Sequence, residues 1–200
     1  NSDIMRYTQT TIPGLWIIEP ALIGDERGYF FESFRSADFA MHIGELTIVQ
    51  ENQSRSKQGV LRGLHLQTGE HAQAKLIRCV EGAILDVAVD LREGSPTFGQ
   101  HFAIELSSEN HKQIFIPRGF AHGFLTLSDY ATLQYKVDNA YHALSECSLR
   151  YDDPALGINW SADNDINPQD YILSKILRVL ASNFISVSTF SVTNNIKLKL

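Results

Sequence analysis

The sequence has few of the features that mark several common classes of protein. It holds two cysteines, Cys79 and Cys147, too few for a disulfide framework. Its 17 lysines and arginines are outnumbered by 23 aspartates and glutamates, which argues against a broad basic face for nucleic-acid phosphates but leaves room for one local basic pocket. It also lacks a signal-peptide pattern and any apolar run of about 18 residues, the length that spans a membrane. We therefore expect a cytoplasmic protein that binds neither nucleic acid nor membrane.

The composition is that of an ordinary globular protein. Hydrophobic residues make up 44% of the 200 residues and charged residues 20%. A chain of this length fits one domain, with or without an appendage, and can enclose a hydrophobic core.

Short β-type runs, separated by Gly, Pro, Asn and Asp, are the main pattern along the chain. They cover residues 15–18, 29–34, 46–50, 59–67, 74–80, 83–91, 102–106, 113–116, 122–127 and 131–137. Helical pattern is confined to residues 36–43 and the region after Asp170. The sequence thus predicts an all-β sandwich or barrel with a few short peripheral helices.

The run ILDVAVD (84–90) alternates in a way that predicts the two faces of its strand. Asp86 and Asp90 fall on one face with Ile84 and Ala88, and only apolar residues fall on the other. The first face could line a cavity, although aspartates in a strand that packs the core are more often structural.

His65 is the single histidine of the apolar run GVLRGLHLQ (59–67). A lone histidine on such a strand is most often a satisfied core residue. The alternative is that the strand carries an acid–base group into a cavity. The spacing Gly59-x5-His65-x-Gln67 and the segment PRGFAH (117–122) together resemble the two halves of the cupin motif, which holds a metal inside a β-barrel.

Only two of the four metal-ligand positions of that motif are kept, at His65 and His122. Gln67 stands in the second histidine position, and Lys75 takes the glutamate position. A charged lysine has no lone pair and repels a divalent cation. We therefore expect no metal, and a cavity suited to an anionic substrate and proton transfer.

Longer blocks of the sequence resemble one family more closely. The blocks are GDERGYFFESF (24–34), IVQENQSRSKQGVLRGLHLQ (48–67), AQAKLIRCVEGAILDVAVDLREGSPTFGQ (72–100), IPRGFAHGFLTLSDYA (116–131) and YKVDNAYHALSECSLRYDDPALGINW (135–160). In order and nearly without gaps they are similar to the dTDP-4-dehydrorhamnose 3,5-epimerase family. The resemblance implies a cupin-type jelly roll, a homodimer that exchanges strands, and a metal-free reaction on a dTDP-linked 4-keto-6-deoxy sugar.

Such a reaction needs few groups. A C–H beside a ketone is acidic because its anion delocalises onto the carbonyl oxygen, so inversion needs a base, an oxyanion stabiliser and an acid on the opposite face, without a redox cofactor. By the family pattern His65 is the base, and its ordinary pKa near 6.5 suits that task. The same pattern makes Tyr135 the acid and Lys75 the cation beside the enolate oxygen.

The resemblance also implies a set of substrate contacts. Arg27 and Arg62 offer planar guanidinium groups that suit a diphosphate. The residues that match the family's nucleotide-sugar contacts are Arg27, Glu32, Gln50, Asn52, Arg62, His122, Tyr141 and Glu146.

The C-terminal part departs from the family, so we expect a cupin-like domain at residues 1–171 and an atypical tail at 172–200, with a possible helix and strand. Family members usually end in a segment like L-S-x-K-D, whose aspartate partners the catalytic histidine. With Ser174 aligned, Ile176 and Leu177 occupy the Lys and Asp positions. Asp170, a few residues upstream, is a possible substitute.

The expected activity is epimerisation at C3 and C5 of dTDP-4-dehydro-6-deoxy-D-glucose. Two alternatives remain open at this point. One is inversion at a single carbon of a related nucleotide 4-keto sugar, and the other is a catalytically impaired protein that only binds nucleotide sugars.

Overall fold

The computed structural model describes residues 5–161 and 164–173, and strands dominate these ranges. The strands are β1 (Arg6–Gln9), β2 (Trp16–Glu19), β3 (Ile23–Asp25), β4 (Gly28–Phe30), β5 (Gln50–Lys57), β6 (Val60–Gln67), β7 (Lys75–Glu81), β8 (Ala83–Asp90), β9 (His101–Ser107), β10 (Gln113–Ile116), β11 (Phe120–Thr126), β12 (Tyr130–Val137), β13 (Glu146–Ser148) and β14 (Ile172–Leu173). One α-helix, α1, spans Ser36–His42, and short 3-10 turns cover Gly69–His71, Ala143–Ser145 and Pro168–Asp170.

The strands form two sheets that pack as a sandwich. The first sheet has the order β1-β2-β10-β7-β12-β5, and the second has β13-β6-β11-β8-β9 with β14 parallel to β6. The hairpin β3–β4 forms a separate two-stranded sheet. This confirms the predicted all-β jelly-roll class with little peripheral helix.

The main hydrophobic core lies between the two sheets. Ile77 and Leu133 enter it from the first sheet, and Ile84, Ala88 and Phe124 enter it from the second. The alternation of β8 is as predicted, because Leu85, Val87 and Val89 belong to a different cluster on the other face of that strand. Both faces of β8 are therefore covered, and its two aspartates are buried.

The segment that follows β13 covers the outer face of the second sheet, and helix α1 covers that of the first. Leu156 and Trp160 pack against the second sheet over the apolar face of β8. Helix α1 covers the first sheet, where the ring of Phe39 meets that of Phe115 edge-on at 5.0 Å.

Asp90 has a structural role at the end of β8. Its carboxylate is buried and accepts hydrogen bonds from Arg92 Nη2 at 2.7 Å, Ser95 Oγ at 2.6 Å and Thr97 Oγ1 at 2.7 Å. Burial by itself would raise the pKa of Asp90, but these hydrogen bonds outweigh it and hold the pKa below its ordinary value. The carboxylate thus ties the loop after β8 to the sheet.

Some predicted strand limits were wrong. Residues 46–49 do not form the predicted strand. Leu46 packs against the cluster under α1, and β5 begins only at Gln50. The predicted strand 29–34 ends at Phe30, while Phe34 joins the same cluster. Strands β1 and β3 are short and largely exposed, so they lack the apolar alternation that marks a strand.

Gly63 allows β6 and β11 to approach closely. Its φ is +134°, and a Cβ on it would lie 2.3 Å from the Cα of Gly123. Any side chain here would therefore push apart the two strands that carry His65 and His122.

The described residues contain no helix long and apolar enough to cross a membrane. Cys79 and Cys147 are both free. The predicted tail helix begins at Ile172, but Ile172 and Leu173 form β14 instead. The remainder of the predicted tail helix and strand, together with Ser174, Ile176 and Leu177, lies outside the described residues.

Candidate active site

A cavity of about 480 Å³ lies between the two sheets. All but two of the predicted site residues line it: His65, Tyr135, Lys75, Gln50, Asn52, Arg62, His122, Tyr141 and Glu146. These residues come from six strands and one loop, so the sandwich itself brings them together.

The two histidines are neighbours on adjacent strands. His65 on β6 pairs in register with His122 on β11, so both side chains lie on the same face of the second sheet. His65 Nδ1 lies 2.8 Å from Ser148 Oγ. His122 Nε2 lies 2.8 Å from Asp86 Oδ2, and Asp86 is fully buried. Each ring therefore has one nitrogen held by a protein group.

The pKa of His65 is lowered from its ordinary 6.5. Burial is the main cause, because it disfavours the charged imidazolium, and the positive charges of Lys75 and Arg62 and the ring of His122 act in the same direction. Glu146 opposes them, with Oε1 at 3.8 Å from Nδ1. At neutral pH His65 is therefore mostly neutral and able to accept a proton.

Lys75 stands at the start of β7. Burial lowers its pKa from 10.5 to about 8, against the opposing charges of Asp86 and Glu146. The ammonium group is thus still largely protonated at neutral pH, inside a cavity where its charge is little screened by water. Such a cation can stabilise an enolate oxygen far better than one at the surface.

Tyr135 reaches the cavity from the opposite sheet, on β12. Burial raises the pKa of its phenol, and the positive charge of Arg62 opposes this only in part. The phenol therefore keeps its proton at neutral pH. Because β6 and β12 belong to different sheets, the candidate base His65 and the candidate acid Tyr135 face the cavity from two sides.

Several predicted contact residues are linked by hydrogen bonds. Tyr141 Oη donates to Glu146 Oε2 at 2.8 Å, and Gln50 Nε2 donates to Asn52 Oδ1 at 2.7 Å. Arg62 Nε donates to Ser56 Oγ at 3.0 Å.

Arg27 and Glu32 do not line the cavity. Arg27 lies on the turn of the β3–β4 hairpin, where its guanidinium pairs with Asp25 and 85% of its side chain is exposed. Glu32 follows β4 and pairs with Arg35, with 2.6 Å from Nε to Oε1. Within one chain these two predicted contacts are therefore separate from the rest of the site.

Gln67, in the position of a cupin ligand, has a different task. Its side chain is buried, and Oε1 accepts a hydrogen bond from the backbone N–H of His142 at 2.9 Å. It thereby anchors the loop that carries Tyr141 over the cavity. Among the described residues no three His, Cys, Asp or Glu side chains are grouped so as to hold a metal ion.

Sequence reasoning missed two polar partners of the histidines. Asp86 was expected to be structural, but its carboxylate holds His122. Ser148 was not singled out at all, yet it is the hydrogen-bond partner of His65. The alternation of β8 was a signal for Asp86, whereas no spacing in the sequence points to Ser148.

Asp170 is exposed and lies at the far end of β6. Ile172 N donates to Gly59 O at 2.8 Å, which places Asp170 beside the start of that strand. His65 is six residues further along, on the order of 20 Å of extended chain. Asp170 is therefore not a partner of His65 in this structure.

The sandwich and its polar interior cavity define a protein of the cupin type. The family model for dTDP-4-dehydrorhamnose 3,5-epimerase matches residues 9–177. The chain belongs to this family, and its class of activity is that of an isomerase.

Relatives and solved structures agree with this assignment. The dTDP-4-dehydrorhamnose 3,5-epimerase of Salmonella typhimurium is 53% identical over 158 residues, which is 78% of this chain and 86% of that protein. The crystal structure of the enzyme from Elizabethkingia anophelis is 48% identical, with a TM-score of 0.82 and coverage of 88% of this chain and 94% of its own. The Legionella pneumophila enzyme, solved in complex with dTDP-4-keto-L-rhamnose, is 45% identical, with a TM-score of 0.80 and coverage of 87% and 90%.

Proposed function

We propose that this protein converts dTDP-4-dehydro-6-deoxy-D-glucose into dTDP-4-dehydro-L-rhamnose by epimerisation at C3 and C5. The observation that carries the proposal is the gathering of His65, Lys75 and Tyr135 in one cavity. A neutral histidine, a buried cation and a protonated phenol are the three groups that enolate chemistry requires.

In this mechanism His65 removes the proton beside the C4 ketone. The electron pair moves onto the C4 oxygen, where the positive charge of Lys75 stabilises the enolate. Tyr135 then donates a proton to the same carbon from the other face, which inverts its configuration. Once His65 has released its proton and Tyr135 has regained one by exchange with water, the same steps at the second carbon complete the reaction. No electrons enter or leave the substrate, so no redox cofactor is needed.

Polar residues around these three groups would hold the nucleotide sugar. Arg62 presents a guanidinium group to the cavity and suits a phosphate oxygen. We assign the remaining contacts to five further polar residues of the lining: Gln50, Asn52, His122, Tyr141 and Glu146.

The product identifies the reaction. Incubation of the protein with dTDP-4-dehydro-6-deoxy-D-glucose, followed by proton NMR of the sugar ring, should show a species inverted at both C3 and C5. Inversion at one carbon only would replace the proposal by the single-carbon epimerase. An unchanged substrate that nevertheless binds would leave a nucleotide-sugar-binding protein.

The pH dependence of kcat/KM follows from the lowered pKa values of His65 and Lys75. His65 must be neutral to act, and its pKa lies below 6.5, so kcat/KM should rise with pH and level off by about neutrality. Lys75 must be charged, and its pKa is about 8, so kcat/KM should fall again above that value. In Lys75→Met the fall near pH 8 should disappear from the residual rate. A wild-type profile that stays flat through pH 9 would contradict the role given to Lys75.

We further propose that the protein is a homodimer whose hairpins exchange between subunits. The β3–β4 hairpin forms its own small sheet and exposes large apolar side chains, among them Ile23, Tyr29 and Phe30 at 60% or more. Such a surface is typical of an interface with another copy. In this arrangement Arg27 and Glu32 would contact the nucleotide sugar in the partner's cavity.

Mixed dimers test this exchange. Arg27→Ala and His65→Ala should each be nearly inactive alone, and co-expression should restore activity in the mixed dimer. Random pairing gives one intact site in half of the dimers, so the mixture should reach about a quarter of the wild-type rate. If Arg27 served its own cavity, every mixed dimer would have two damaged sites and the mixture would stay inactive.

We also propose that the domain is complete once β14 has paired with β6. The pairs Ile172↔Val60 and Leu173↔Leu61 are the last contacts of the described chain with the sandwich. A chain that ends after Ser174 should keep a cooperative thermal transition and bind dTDP. Loss of the folded state on this truncation would show that residues 175–200 belong to the domain.

A cytoplasmic location is the remaining part of the proposal. It rests on the cysteine content, since the sequence holds two cysteines and both are free. Fractionation of the cells that make the protein is the check, and recovery in an extracytoplasmic fraction would contradict it.

A further inference from the structure

Ser148 is fixed in position beside His65. Strand β13 pairs with β6 so that Ser148 lies directly opposite His65. The next residue continues the ladder, because Leu149 N donates to Leu64 O at 2.9 Å. Ser148 is 8% exposed, and its Oγ lies 2.8 Å from His65 Nδ1.

A histidine base has a specific requirement for its two nitrogens. The nitrogen that faces the substrate must be unprotonated, so in the neutral ring the proton must sit on the other nitrogen. A hydrogen-bond acceptor at that other nitrogen selects this tautomer, and it also supports the imidazolium that forms when the base has acted.

Two carboxylates are less suited to this task than the serine. Glu146 Oε1 is 3.8 Å from Nδ1, beyond hydrogen-bond distance, and its other oxygen accepts a hydrogen bond from the phenol of Tyr141. Asp170 is exposed beside the start of β6. Within the described residues, Ser148 is the group in hydrogen-bond contact with Nδ1 of His65.

We propose that Ser148 is the positioning residue of the base: its Oγ accepts a hydrogen bond from Nδ1–H of His65 and so leaves Nε2 as the unprotonated atom that removes the substrate proton. This inference rests on the proposed epimerase function. It assigns to a serine hydroxyl on β13 the task that a carboxylate in the C-terminal segment performs in the family pattern.

The first test reads the tautomer without any turnover. Protein labelled with ¹⁵N-histidine has seven histidines, and the His65 signals are assigned by their loss in His65→Ala. At pH 8 the wild-type ring should show a protonated Nδ1 and an unprotonated Nε2, and Ser148→Ala should shift it toward the other tautomer. A wild-type ring with its proton on Nε2 would overturn the proposal, whether or not any Ser148 variant folds.

The second test is kinetic. Ser148→Ala should lower kcat by roughly 10- to 100-fold with KM almost unchanged, since Ser148 acts through His65 and not on the substrate. Ser148→Thr, which keeps the hydroxyl, should recover most of the rate. The matched control is Ser107→Ala, a buried serine on β9 that bonds the backbone N–H of Asn110, and its kcat should equal that of the wild type.

The two tests separate the possible failures. A full kcat in Ser148→Ala, or a lowered kcat with an unchanged tautomer, would overturn the positioning role. If wild-type protein turned over no dTDP-4-dehydro-6-deoxy-D-glucose, the proposed function would fail, while the NMR result would still decide whether Ser148 sets the tautomer of His65.

Discussion

Replacing His65 by alanine is expected to lower the rate of C3 and C5 hydrogen exchange by roughly 10² to 10⁴-fold, the usual loss on removing a positioned acid or base. The reason is that alanine leaves no proton acceptor at this position. His122, the other cavity histidine, has its Nε2 bound to buried Asp86. Exchange into the substrate from deuterated water, followed by NMR, measures the loss directly.

Tyr135→Phe is the informative comparison, because it removes an acid and keeps the base. We expect this variant to retain some exchange, since His65 can return deuterium to the face from which it took the proton, while inversion slows. His101→Ala, on β9 and outside the cavity lining, is the inert control. Normal exchange at both carbons in His65→Ala would remove His65 from the mechanism.

Replacing Lys75 by methionine should lower kcat by roughly 10² to 10³-fold, the loss typical of removing one group that stabilises an oxyanion. Methionine is unbranched, apolar and only one heavy atom shorter than lysine, so the change removes mainly the charged group. The effect should fall mainly on kcat, because the charge on the C4 oxygen develops only as the proton leaves. Steady-state kinetics at pH 7 gives the two constants.

The same substitution should not destabilise the fold. A pKa of about 8 in place of 10.5 means that the folded state carries the charged Lys75 at a cost of about 3 kcal/mol at neutral pH. Because this pKa is lowered by folding, that cost fades as the pH rises from 8 toward 10.5. Lys75→Met should therefore melt at or above the wild-type temperature at pH 7.

Lys136→Met, which breaks an exposed pair with Glu51, is the matched control for the activity prediction and should keep full activity. Full activity of Lys75→Met would contradict the role of the cation.

The sequence predicts the strands that contribute to the main core, because their apolar residues alternate. Strand β5, which contributes no residue to that core, is not predicted, because its sequence QENQSRSK has no apolar residue. This strand is held by its partner, since β12 pairs with it continuously from Tyr130↔Lys57 to Val137↔Gln50. A strand made by pairing instead of by apolar burial leaves no hydrophobic period to read.

The candidate site was predicted from the family resemblance and not from apolar alternation, and only in part. The family resemblance supplied the residues of the cavity, but not the partners that tune them. Ser148 is 83 residues from His65 in sequence, and Asp86 is 36 residues from His122, so only the registry of the strands brings each pair together. Arg27 and Glu32 lie outside the cavity within one chain, where each is paired with a neighbour on its own segment.

Deuterium exchange by the unaided protein is the most direct test of the central claim, that one cavity inverts two carbons with its own side chains. The protein is dialysed against a strong chelator, freed of nucleotides and incubated in deuterated water with dTDP-4-dehydro-6-deoxy-D-glucose and no added cofactor. We predict one deuterium at C3 and one at C5 of the product, at the rate of the undialysed protein. Absence of deuterium at both carbons, or exchange that returns only when a divalent ion or a redox cofactor is added, would contradict the account.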